Sequence, residues 1–118
     1  MKTTTVWKKK HEFESRQGDN HIKLDGSREH GFSPKALLLA GLAGCSGIDV
    51  VDILEKMRVK FSHFEIETEA TQTDDHPKVF RDVLITYKIN TDKENEEKVR
   101  KAIDLSLEKY CGVSAMLR

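Results

Sequence analysis

The stretch that decides the fold reads SPKALLLAGLAGCSGIDVVDILEKMR and spans residues 33–58. Ser33 is a favourable N-cap residue and Pro34 suits the first helical position, so we expect a helix over this whole stretch. Its first half is apolar on every face, which is typical of a helix buried at the centre of a domain. Charged residues accumulate in its second half, so we expect no membrane span here.

Three glycines, at positions 41, 44 and 47, surround Cys45 in this helix. A glycine in a helix interior costs about 1 kcal/mol relative to alanine. Because glycine has no side chain, three such glycines indicate that another segment approaches the helix closely. We expect that segment to be the one around Cys111, together with a partner subunit.

The bulk properties indicate one small domain over residues 1–118. The formal net charge is +0, which gives no electrostatic reason to expect binding to nucleic acid or to an anionic membrane. Residues 1–30 contain no apolar run of the kind found in signal peptides. We therefore expect a cytoplasmic protein.

The remaining segments alternate between strand and helix patterns. We predict a β-hairpin over 3–25 with its turn at 15–20, a second β-hairpin over 63–90, and helices over 93–118. Together with the central helix at 33–58, this order predicts the α+β class. We expect one face of the second hairpin to pack on the central helix. The candidates for that face are Ile66, Val83, Ile85, Tyr87 and Ile89.

The two cysteines, Cys45 and Cys111, both lie among small residues. Helices cross most closely where side chains are small, so the two thiols can face each other. Such a pair can act as an attacking and a resolving thiol through a sulfenic acid. The alternative is that both are small buried apolar residues without chemistry. The five histidines show no metal-ligand spacing and there is no CxxC motif, so we expect no metal site.

Two motifs together resemble the OsmC/Ohr family of osmotically induced and organic-hydroperoxide-resistance proteins. They are SPKALLLAGLAGC over residues 33–45 and EKYCGVS over 108–114, and the likeness extends over roughly residues 20–118. The resemblance implies a two-helix core wrapped by antiparallel β-sheets in an intertwined homodimer. Family members usually continue with one more strand beyond the position of Arg118, so we expect this chain to lack that strand or to be truncated.

The same resemblance implies a thiol-dependent peroxidase that reduces organic hydroperoxides. It assigns Cys45 as the peroxidatic cysteine and Cys111 as the resolving cysteine. An external dithiol, such as a dihydrolipoyl group, would regenerate the enzyme, and no metal, haem or flavin cofactor is implied. An arginine from the N-terminal hairpin favours the thiolate in this family, and Arg16 is the matching candidate.

The chain departs from the peroxidase pattern at Lys35, where those proteins carry a glutamate after the proline. This departure keeps a second function open. The chain would then be a non-enzymatic dimeric module that binds a small apolar molecule or senses oxidants.

Overall fold

The computed structural model describes all 118 residues and contains five β-strands and three α-helices. The chain forms two compact units, Met1–Leu38 and Leu39–Arg118. Helix α1, Pro34–Lys56, begins in the first unit and continues through the second, so the helix predicted over 33–58 is confirmed with slightly shorter bounds. The two sheets are separate and antiparallel, which confirms the predicted α+β class.

The N-terminal unit contains a three-stranded sheet in the order β1 (Thr4–Lys9), β2 (Glu12–Gln17) and β3 (Asn20–Asp25). The single hairpin predicted over 3–25 is therefore wrong. A further turn at residues 10–11 divides the first half of that predicted hairpin, and Lys10 adopts a left-handed conformation there with φ of 48°. The next turn lies at Gly18, with φ of 58°, which glycine adopts without steric cost.

The loop after β3 is organised by the buried carboxylate of Asp25. This carboxylate accepts hydrogen bonds from the backbone N–H groups of Ser27, Glu29 and His30. The Ser27 N–H contributes most to holding the pKa of Asp25 below its ordinary value, against the opposing effect of burial. The loop therefore favours an ionised carboxylate at its centre.

The C-terminal unit contains a long antiparallel hairpin, β4 (Phe61–Gln72) and β5 (Phe80–Thr91), close to the prediction of 63–90. His63 has φ of 49° and lies in a bulge of β4. The extra residue lets Phe61 and Phe64 share the half-buried face, where their rings meet edge to face at 6.1 Å. The five residues predicted for this face are all half-buried: Ile66, Val83, Ile85, Tyr87 and Ile89.

Two further helices follow, α2 (Glu96–Leu105) and α3 (Gly112–Leu117), as predicted for 93–118. A short 3-10 turn at residues 93–95 leads into α2. A π-helical turn over Ser106–Tyr110 joins α2 to α3 and ends at Cys111. Such turns interrupt regular helices and are frequent at functional sites.

The core of the C-terminal unit is small, and α1 contributes one stripe to it. The buried cluster consists of Val50, Leu54, Val59, Val99 and Ala102, with Tyr87 and Ile89 packed against it. The residues of α1 that are buried recur every four positions: Leu42, Ser46, Val50 and Leu54.

The expectation that α1 is buried on all sides is therefore wrong for this chain. Ile48 is 66% exposed, although it is apolar and lies at the middle of the helix. By length and composition alone, α1 is long and apolar enough to cross a membrane, a test that core helices of soluble proteins also pass. An apolar face of α1 is thus open in the single chain.

Candidate active site

The structure brings the two cysteines together. Cys45 is half-buried in the middle of α1, and Cys111 is buried between the π-helical turn and α3. Both are free thiols, and they lie close enough that Cys45 helps to raise the pKa of Cys111. The two cysteines therefore lie together, as the small residues around each of them predicted.

Cys111 is held at both its backbone and its sulfur. Its N–H donates to the carbonyl of Ser106 at 2.7 Å, and its Sγ accepts the N–H of Ser114 at 3.4 Å as the cap of α3. Burial raises the pKa of the Cys111 thiol, and the neighbouring Cys45 raises it further, while the Ser114 N–H opposes both. Cys111 is therefore a protonated thiol at neutral pH and can donate its proton toward Cys45.

A buried polar network lies beside the thiols. The Oγ of Ser106 is 3.0 Å from the Oγ of Ser46 and 3.0 Å from Oδ2 of Asp49. The Oγ of Ser46 is in turn 2.6 Å from the hydroxyl of Tyr87. Ser46 and Ser106 are both completely buried, and no buried side-chain nitrogen or oxygen lacks a partner.

The chemistry of these groups limits which of them can donate. A serine hydroxyl has one proton to donate, and an ionised carboxylate can only accept. The Ser106 hydroxyl is the donor toward both Ser46 and Asp49, and either hydroxyl can donate in the pair of Ser46 and Tyr87.

The pKa of Tyr87 lies above its ordinary value. Burial raises it, and negative charge on Cys111 or Asp49 raises it further, while the hydrogen bond with Ser46 opposes them. Tyr87 therefore keeps its proton at neutral pH and can donate it to Ser46. Its ring stacks on Phe64 at 6.5 Å, which fixes the position of the hydroxyl.

An apolar groove of about 500 Å³ runs between α1 and β4. Its walls include Ile48, Val51, Phe64 and Ile66. Neither cysteine is among the residues that line it.

The glycines of α1 do not make room for the Cys111 segment, contrary to expectation. A Cβ atom at Gly41 or Gly44 would meet no atom within 4 Å, and the same holds at Gly112. At Gly47 a Cβ would lie 3.1 Å from Cδ1 of Ile66, so only this glycine serves a close contact, and that contact is with β4. The open space beside Gly41 and Gly44 is available to another molecule.

The sequence profile of OsmC-like proteins matches residues 25–118. The chain belongs to the OsmC-like family. This confirms the resemblance inferred from the two cysteine motifs. Protein YhfA of Escherichia coli strain K12 is 33% identical to this OsmC-like chain over 99 residues, which cover 83% of the chain and 74% of YhfA.

Solved structures share the fold. A hypothetical protein from Aquifex aeolicus superposes with a TM-score of 0.86 at 29% identity, covering 98% of this chain and 84% of that one. The organic hydroperoxide resistance protein OhrB of Bacillus subtilis superposes with a TM-score of 0.65 at 21% identity, covering 99% and 89%. At that identity the likeness to OhrB shows the fold alone.

The third predicted site residue, Arg16, lies in the N-terminal unit. It is an exposed residue of β2, opposite Thr4 and His21. The turn predicted at 15–20 is shorter than expected and lies at residues 18–19, so Arg16 belongs to the strand. Lys35 lies in the first turn of α1. The role of Arg16 toward Cys45 stays a prediction.

One cluster in the N-terminal unit offers metal-ligating atoms. Glu12, Asp25 and His30 each place one such atom within 4.8 Å of the others. The loop explains their proximity without an ion, because Asp25 accepts three backbone N–H groups and the His30 ring lies 3.4 Å from Glu12. These residues are far apart in sequence, so spacing did not reveal them.

Sequence reasoning missed the network of Ser46, Ser106 and Tyr87. Two signals were available: a serine in the middle of an apolar helix, and a second serine at a core-facing position of an amphipathic one. Buried hydroxyls need partners, so each of these serines indicates a polar contact inside the unit.

Proposed function

We propose that this OsmC-like protein is a thiol-dependent peroxidase that reduces organic hydroperoxides. The observation that supports it most is that the two free thiols, Cys45 and Cys111, lie close enough for Cys45 to raise the pKa of Cys111. The substrate class is the one that the resemblance to organic-hydroperoxide-resistance proteins implies, and OhrB, whose name records that resistance, shares the fold.

In the first step the Cys45 thiolate attacks the distal oxygen of the hydroperoxide. The O–O bond breaks, and the leaving alkoxide takes a proton and departs as an alcohol. Cys45 is oxidised to a sulfenic acid. In the second step the Cys111 sulfur attacks the Cys45 sulfur, which forms the disulfide and releases water.

The protonation of Cys111 suits this order of events. A thiol kept protonated by burial does not compete as the first nucleophile, and its S–H can donate to the Cys45 thiolate. An external dithiol, such as a dihydrolipoyl group, then reduces the disulfide and is itself oxidised to a disulfide. We assign the thiolate-stabilising role to Arg16, and no metal or organic cofactor takes part in this cycle.

We further propose that the protein works as a homodimer in the cytoplasm. The apolar groove beside α1 and the open space at Gly41 and Gly44 support a second copy as the covering partner. A reducing compartment supports the cycle because it keeps both thiols available.

The test is hydroperoxide consumption by the purified full chain with dithiothreitol as reductant. The wild type should consume cumene hydroperoxide over many turnovers, and Cys45→Ser should not. With the reductant left out, Cys111→Ser should stop after one equivalent of peroxide, with Cys45 left as a sulfenic acid. If the wild type consumes the peroxide no faster than Cys45→Ser, the proposal is wrong.

The second candidate is a non-enzymatic dimeric module that senses oxidants or binds a small apolar molecule. Two observations favour it: Lys35 stands where the peroxidases carry a glutamate, and the groove of about 500 Å³ is apolar. Peroxide titration followed by mass spectrometry distinguishes the possibilities. A fast Cys45–Cys111 disulfide without turnover favours a sensor, and no disulfide at all favours a binding module.

A further inference from the structure

We propose that Ser106 is a positioning residue that holds Cys111 against Cys45 and thereby sets how readily the two thiols form a disulfide. The role in peroxide turnover rests on the proposed function. The positioning itself concerns only the two thiols and can be measured without peroxide.

Ser106 is bonded to both cysteine-bearing segments. Its carbonyl accepts the N–H of Cys111 at 2.7 Å, which closes the π-helical turn. Its hydroxyl is 3.0 Å from Ser46, the residue directly after Cys45, and 3.0 Å from Asp49, one turn further along α1. One buried side chain thus ties the turn that ends at Cys111 to the helix that carries Cys45.

The connection is rigid because it is buried and fully paired. Ser46 and Ser106 have no exposed surface, and the Tyr87 hydroxyl on β5 is bonded to Ser46. Water cannot replace these partners without entering the core, so the Ser106 hydroxyl stays bonded to α1. Holding two reacting groups in place raises their effective concentration, because the entropy of bringing them together has been lost before they react.

The test measures the reduction potential of the Cys45–Cys111 disulfide in the full chain. Purified protein is equilibrated anaerobically with glutathione and glutathione disulfide, and the two states are counted by mass spectrometry. The reaction converts both thiols to one disulfide and one glutathione disulfide to two glutathione thiols. Ser106→Ala should lower the equilibrium constant roughly tenfold, as expected for one hydrogen bond. Tenfold corresponds to a potential about 30 mV less negative.

Two further variants keep the test decisive. Ser46→Ala removes the same contact from α1, so it should shift the potential in the same direction and substitutes for Ser106→Ala if that variant does not fold. Val99→Ala loosens the core from α2 without touching the network and should leave the potential unchanged. Unchanged potentials in both folded serine variants, or an equal shift in Val99→Ala, would overturn the positioning role.

A single-turnover experiment separates this inference from the peroxidase proposal. After one equivalent of cumene hydroperoxide, Ser106→Ala should form the Cys45 sulfenic acid at the wild-type rate. It should convert that acid to the disulfide about tenfold more slowly, so that a dimedone adduct accumulates. Wild-type disulfide formation in Ser106→Ala refutes the positioning role. If the wild type itself forms no sulfenic acid, the peroxidase proposal fails, and the glutathione equilibrium still decides the role of Ser106.

Discussion

Replacing Ile48 by alanine should weaken self-association of this OsmC-like protein. Ile48 is 66% exposed in the single chain and forms a wall of the apolar groove. Burying a whole isoleucine side chain contributes about 1.5–3 kcal/mol, so about two thirds of it contributes about 1–2 kcal/mol. A two-fold symmetric interface contains the contact twice, which gives about 2–4 kcal/mol. The dimer dissociation constant should therefore rise about 30-fold to about 1,000-fold.

The assay is analytical ultracentrifugation over a wide range of protein concentration. Leu84→Ala is the matched control, because Leu84 is 60% exposed on the opposite, outward face of β5. This control loses a similar amount of exposed apolar surface away from the groove. Its dissociation constant should stay within about twofold of the wild type, as for most surface substitutions.

Two results would refute the assignment of this face to a second copy. One is a monomeric wild type at every concentration tested. The other is a dimer whose dissociation constant is unchanged by Ile48→Ala, or changed equally by Leu84→Ala. Either result would mean that the groove is open for some other occupant.

Three further outcomes are expected. Leu54→Ala, which empties a fully buried position among Val50, Val59 and Val99, should lower the free energy of unfolding by about 2–5 kcal/mol in urea titrations. In a Cys45→Ser background, Asp49→Asn should lower the pKa of the Cys111 thiol, because the carboxylate charge helps to raise it, and thiolate absorbance against pH measures this. Asp25→Asn should destabilise the protein at neutral pH. Since the folded-state pKa of Asp25 lies below its ordinary value of 3.8, the difference in urea midpoint should shrink as the pH falls below about 4.

Most of the fold could be predicted from the sequence because its elements have strong periodic patterns. The two-residue alternation of β5 and the Ser33-Pro34 start of α1 each indicate one structure. The three-stranded sheet was missed because Lys8, Lys9 and Lys10 read equally well as an edge strand or as a turn. Nothing in those side chains shows that Lys10 takes a left-handed conformation.

The site could be predicted in part. Small residues around both cysteines predicted that the segments meet. In the structure the charge of Asp49 also helps to raise the pKa of Cys111, which no sequence pattern indicated. The partners of Ser46 could not be predicted, because Ser106 and Tyr87 are distant in sequence and only the packed unit brings them together.

The composition of α1 fits two environments, a bilayer and a protein interface, and its contacts favour the second. A helix in a bilayer must satisfy or neutralise its charged groups, and a carboxylate at the membrane centre is costly. Asp49 is bonded to Ser106 and lies one turn beyond the middle of α1, near the depth at which a membrane span would be most apolar, and Asp52 lines the open groove. The buried stripe of α1 is already packed in the core. What remains is one apolar side interrupted by glycines and an acid, which suits the uneven surface of a second protein chain better than lipid.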